Sequence, residues 1–157
     1  MSKYVFFYDT IIGKVGIAED GIGITDVFLG NHLLGVDVKE TELIKEAAKQ
    51  LDEYFKGERQ IFSVKLNPQG TLFQQEVWKA LLEIPYGETR SYKQVAERVG
   101  NPKASRAVGM ANNRNPIFII IPCHRVIGST GKLVGYGGGI DVKEKLLNLE
   151  YEHSIFN

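Results

Sequence analysis

Cys123 is the only cysteine in this chain of 157 residues, and it stands in "IPCHR", residues 121 to 125. A cysteine attacks as its thiolate, and a free thiol has a pKa of about 8.5, so a reactive one needs a cationic or basic neighbour. His124 and Arg125 follow it directly. On a strand their side chains would point to opposite faces; on a sharp turn after Pro122 either can return toward the sulfur. The preceding "IFIIIP" reads as a buried strand, which places Cys123 where rigid support gives way to a loop, a common seat for functional groups. The same residues also fit an inert cysteine, because free Cys is often simply buried. A lone cysteine forms no internal disulfide. Histidines at 32, 124 and 153 with one Cys at 123 do not make a Cys-rich zinc site, so no metal is expected. Such usage suits a reducing cytosol. No apolar run approaches the ~18 residues of a membrane span. The start, "MSKYVFFYDT", lacks the apolar core and cleavage site of a signal peptide. A cytoplasmic chain that does not enter membranes is expected.

The elements that would hold this cysteine can be read on either side of it. At 43% hydrophobic and 24% charged residues, the composition is that of a globular protein with a core. "KYVFFYD", "GKVGIAED" and "IGITDVFLG" read as strands punctuated by Gly13 and the Asp20-Gly21 pair, a hairpin signal. "TELIKEAAKQLDEYFKGE" has Ile44, Ala47, Ala48, Leu51, Tyr54 and Phe55 at helical spacing, with Gly57 at its end. Strand-like "QIFSVKL" follows, then a linker, "NPQG". The expected fold is therefore a small α/β domain over 1–66, an antiparallel sheet with a helix, followed by a mainly helical domain over 67–157. In the second part Thr71 with Gln74, and Ser91 with Gln94, have the spacing of capping boxes. Phe73, Val77, Leu81 and Ile84 make an apolar stripe, and Trp78 beside it reads as core packing. Asn101, with Pro102 behind it, would cap a helix through "KASRAVGMANN", and Asp141 with Glu144 would start a last one.

Charge divides with the domains. Residues 1–66 hold 8 Lys/Arg against 11 Asp/Glu, and 67–157 hold 11 against 8. Within 90–132 stand Arg90, Lys93, Arg98, Lys103, Arg106, Arg114, Arg125 and Lys132, with Glu97 as the sole acid. That is the footprint of a polyanion-binding face, or an ordinary solvated one. Two short helices joined by "GNP" inside it follow helix-turn-helix grammar. The second would present Lys103, Ser105, Arg106, Gly109 and Asn112 or Asn113. Small residues dominate it, with one long probe, Arg106. This suits close approach to a DNA backbone or narrow groove, with phosphate contacts and little sequence preference. It suits equally an αα-corner packed through small residues.

Four segments resemble one family. "GTLFQQEVWKALLEIPYGETRSY", "SYKQVAERVGNPKASRAVGMANNRNP", "IPCHRVIGSTG" and "GYGGGIDVKEKLLNLE" are similar, in order and over 67–150, to the O6-alkylguanine-DNA alkyltransferases. The resemblance implies repair by direct reversal: a cysteine takes the alkyl group from guanine O6 once, without a cofactor. It implies Cys123 as acceptor, His124 as a base acting through water, and Glu144 as the carboxylate orienting that histidine. Tyr92 would donate to guanine N3, and Asn115 would brace the site. Arg106 would fill the place of the flipped base, with Lys103, Ser105 and Arg125 also at the DNA. Tyr136, Gly137 and Val126 would line the base pocket. Gly137 stands where some members carry Ser, which bears on loop stiffness. The implied partner is double-stranded DNA holding O6-alkylguanine, bound by a monomer. A helix-turn-helix module without chemistry is the alternative; relatives that only recognise alkylated bases lack the cysteine that this chain has.

Overall fold

The computed structural model describes residues 3–31, 35–128 and 139–155. Its contacts divide the chain into two compact units, Met1–Gln69 and Gly70–Asn157. The division falls just beyond the 66/67 boundary placed before "NPQG". Gly70 opens the second unit for a steric reason: a Cβ there would lie 2.5 Å from the Trp78 ring.

In the first unit β1 (Tyr4–Thr10), β2 (Gly13–Glu19) and β3 (Ile24–Leu29) form an antiparallel meander. A two-residue strand, β4 (Asp37–Val38), joins β1 in parallel, giving the order β3-β2-β1-β4. It was not anticipated, because both its residues are exposed and carry no alternation. Helix α1 (Glu42–Phe55) starts at Thr41, whose hydroxyl accepts from the Ile44 N–H. Ile44, Ala47, Leu51 and Tyr54 are buried with Val5, Val15, Ile17 and Val27 of the sheet. The strand expected at "QIFSVKL" does not form. The Ser63 N–H donates to the side chain of Gln50 instead of a ladder, and only Leu66 makes a bridge, to Ile24.

The second unit is built on helices. Both capping boxes are present: Thr71 with Gln74 opens α2 (Leu72–Leu82), and Ser91 with Gln94 opens α3 (Tyr92–Arg98). Trp78 is buried, and its Nε1 donates to the Ala111 carbonyl, tying α2 to α4 (Ser105–Asn113). Helix α4 begins later than expected. Gly100, at φ 83°, and Asn101 close α3, their N–H groups donating to Glu97 and Ala96. The Asn101 carbonyl then accepts from Ala104 in a turn, so Asn101 ends one helix instead of starting the next. A 3-10 turn, Cys123–Arg125, leads into β6 (Val126–Ile127), which pairs in parallel with β5 (Arg90–Ser91). Helix α5 (Ile140–Ile155) ends the described chain. Asp141 lies inside its first turn, not at its cap. Among the described residues no helix is long and apolar enough to cross a membrane.

Candidate active site

The approach to Cys123 is a tight buried turn, not the expected strand. Ile121 N–H donates to Ile117 O, Ile120 N–H to Phe118 O, and Ile119 sits at φ 72°. A β-branched residue there is strained, by on the order of 1–3 kcal/mol. The turn is over-determined by burial of Ile117, Ile119 and Ile121 and by Asn115, which accepts from the Ile117 N–H and donates to the Ile121 carbonyl at 2.7 Å. A run of five apolar residues has no period that separates a strand from such a turn. Cys123 emerges from it buried, with its carbonyl accepting from Asn112 Nδ2 on α4 at 3.3 Å.

The next two residues both turn to helix α5. His124, fully buried, meets Glu150 through Nε2 and Oε2 at 2.5 Å. Arg125 donates to the two oxygens of the same carboxylate at 2.8 and 3.0 Å and to the Ile84 carbonyl at 2.7 Å. The Gly87 N–H adds a fourth donor to Glu150. Burial works to raise the Glu150 pKa, but the hydrogen bonds and charges of His124 and Arg125 outweigh it and hold the carboxyl at about 2. Burial also dominates at His124, and lowers its pKa despite Glu150. The pair is therefore a neutral imidazole against a carboxylate. The carboxylate accepts, so the proton sits on Nε2, and Nδ1 keeps a free lone pair. That Nδ1 is buried and has no hydrogen-bond partner among the described residues.

Two expectations are corrected here. The carboxylate at His124 is Glu150, not Glu144. Six residues further along a helix is the opposite side, and Glu144 is exposed. The missed signal was the inward face of α5: Lys143, Leu146 and Glu150 recur at helical spacing, and all three are buried. Arg125, in turn, is no DNA contact. It is buried, spent on Glu150 and Ile84, and lies over the Tyr86 ring.

Tyr92 is brought to Cys123 by the pairing of Arg90 with Val126 and Ser91 with Ile127. Burial raises its hydroxyl pKa first, and negative charge on Cys123 adds to that. Gly109 of α4 faces the Tyr92 ring, where a Cβ would be in ordinary contact at 3.7 Å. Lys143, unremarked in the sequence, is fully buried on α5 and donates to the Val126 carbonyl at 2.6 Å. Val126 is buried as well. Tyr136 and Gly137 lie outside the described residues. On α4 the outer face carries Arg106, Ala107, Met110 and Asn113; Ser105 is half-buried, and Lys103 is exposed just ahead of the helix. Asn112 points inward instead. Of the basic stretch, Arg90 and Arg98 pair with Glu88 and Glu83. Lys93, Lys103, Arg106 and Arg114 are exposed and form no ion pair among the described residues.

Fold and site define a class, a helix-turn-helix unit wrapped around a buried thiol with an imidazole and a carboxylate in line behind it. Residues 72–152 match the model described as 6-O-methylguanine DNA methyltransferase, DNA binding domain. Residues 3–68 match that of the ribonuclease-like domain of the same enzymes. Over 152 residues, 94% of this chain and 97% of the relative, it is 53% identical to the methylated-DNA–protein-cysteine methyltransferase of Methanosarcina acetivorans. It is 61% identical to that of Mycobacterium leprae over 151 residues, 94% and 91% of the two chains. The crystal structure of Mycobacterium tuberculosis OGT in complex with DNA superposes with a TM-score of 0.90 at 47% identity, covering 96% of this chain and 94% of that one. The chain belongs to the O6-methylguanine-DNA methyltransferase family.

Proposed function

We propose that this protein repairs DNA by moving the alkyl group of O6-alkylguanine onto Cys123, once per molecule. The observation that carries the reading is the line from Cys123 through the free Nδ1 of His124 to an ionised Glu150, buried behind a helix-turn-helix. His124, fixed as the Nε2–H tautomer, offers Nδ1 as the base that takes the thiol proton through a water. The sulfur then attacks the alkyl carbon. An S–C bond forms, the C–O6 bond breaks, and its electron pair leaves on guanine. The Tyr92 hydroxyl, kept protonated by its surroundings, donates a hydrogen bond to guanine N3 and stabilises that charge. The thioether has no route back to thiol, so the protein is consumed. Tyr136, Gly137 and Val126 would enclose the base. Incubation with a duplex holding O6-methylguanine should add the mass of one methyl group to Cys123, seen by intact-mass measurement. An unchanged mass with the DNA still methylated leaves only a binding module.

The target carbon cannot be reached inside a base stack, so the guanine must be flipped out. Arg106, exposed on the outer face of α4 among small residues, fills the vacancy from the minor groove, and Lys103 and Ser105 flank it at the backbone. Extrusion costs a few kcal/mol, so Arg106→Ala should slow transfer from duplex DNA by roughly a hundredfold. Reaction with a free O6-alkylguanine base should scarcely change. Equal losses on both substrates would remove the finger role.

A further inference from the structure

Lys143 is a fully buried ammonium for which the chemistry above has no use. A buried charge is held only by an opposite charge and by hydrogen bonds. One hydrogen bond is present, to the Val126 carbonyl, directly after the Cys-His-Arg turn. The anion must be sought among the groups that face it. Glu150, on the same helix, is already occupied by His124, both donors of Arg125 and the Gly87 N–H. Asp141 and Glu144 are exposed. Tyr92, from α3, keeps its proton. His124 is neutral, and Arg125 is a cation. What remains is Cys123, and its negative form is the one charge acting on Lys143 that opposes the effect of burial.

We propose that Lys143 is the counter-cation of Cys123, pinned by the Val126 carbonyl so that its charge holds the sulfur as a thiolate. The proton lost from the thiol passes to solvent, and Lys143 stays charged throughout. Lys143 acts on the reacting sulfur by its field and is a positioning residue. The arrangement divides labour within the site: His124 and Glu150 handle the proton, while Lys143 sets how readily the sulfur gives it up. The inference rests on Cys123 being the acceptor, but its test does not use DNA, so the two can fail separately.

The rate of Cys123 alkylation by iodoacetamide, followed against pH on the whole protein, reports the thiolate directly. The wild type should inflect at least one unit below the ordinary thiol value of about 8.5. Lys143→Met should move that inflection up by one unit or more and slow the reaction at pH 7 about tenfold or more. Lys143→Gln, which can still donate a hydrogen bond but has no charge, should behave like Lys143→Met. Lys143→Arg should recover most of the wild-type profile. A purely structural role would instead be met by Gln and would leave the inflection in place. An ordinary inflection in the wild type overturns the proposal even if no variant folds. Folded neutral variants with an unshifted inflection overturn it as well. Should iodoacetamide confirm the shift while DNA transfers no methyl group, the counter-cation stands and the repair reading falls.

Discussion

Glu150→Ala should reduce alkyl transfer by roughly 10²–10⁴-fold, the range expected when a general base loses its support. The same change should cost about 3–5 kcal/mol of stability, because it leaves the Arg125 cation buried without its partner. Glu150 accepts from His124, Arg125 and Gly87 at once, so one substitution frees the imidazole tautomer, the cation and a backbone N–H together. Glu144→Ala, on the exposed side of the same helix, should change neither quantity. Duplex transfer assays and denaturant unfolding on both variants check this, and equal effects at the two positions would refute the assignment to Glu150. The pH dependence has a definite sign. The Glu150 pKa is depressed when folded, to about 2, so its contribution is fully present above the unfolded value of about 4.3. It is lost as pH falls from there toward 2, and amounts to on the order of 3 kcal/mol. The neutral, buried His124 adds to this from below about pH 6.5, where the unfolded chain binds a proton that the folded one does not. Acidification should therefore weaken the wild type in two stages, and Glu150→Ala should lack the more acidic one.

Cys123→Ser should abolish transfer outright while DNA binding survives. A serine hydroxyl at this position gives no nucleophile comparable to a thiolate, and the fold loses little because oxygen replaces sulfur in a space of similar shape. Binding by this variant should fall linearly on a log–log plot against salt. The slope should match a few phosphate contacts at about 0.9 per contact, since the exposed cations without partners are Lys93, Lys103, Arg106 and Arg114. Salt-insensitive binding would contradict a phosphate-tracking face. Residual methyl transfer to the serine variant would contradict Cys123 as acceptor.

Much of this protein is legible along the chain. The two capping boxes, Thr71 with Gln74 and Ser91 with Gln94, are local signals, and both form as read. So does the amphipathic α1, whose apolar positions need only an apolar face nearby. Resemblance over 67–150 named the cysteine, its histidine and the family. The failures share a cause. "QIFSVKL" and "IFIII" have strand composition, but composition does not decide where a backbone N–H finds its acceptor. At Ser63 the acceptor is the Gln50 side chain, and before Cys123 it is a carbonyl inside the same turn.

The sequence by itself determined the helices, the two-part organisation of charge, and a thiol followed by an imidazole and a guanidinium. Those follow from periodicity, caps and residue type, which act over a few neighbours. Only the tertiary structure decided what each functional group faces. It turned Arg125 from a basic residue of a DNA face into a buried partner of Glu150, and moved the carboxylate of the site from one side of α5 to the other. It also placed a buried ammonium, Lys143, beside the one sulfur. Charge does its work through distance and burial, and neither is written in the order of residues.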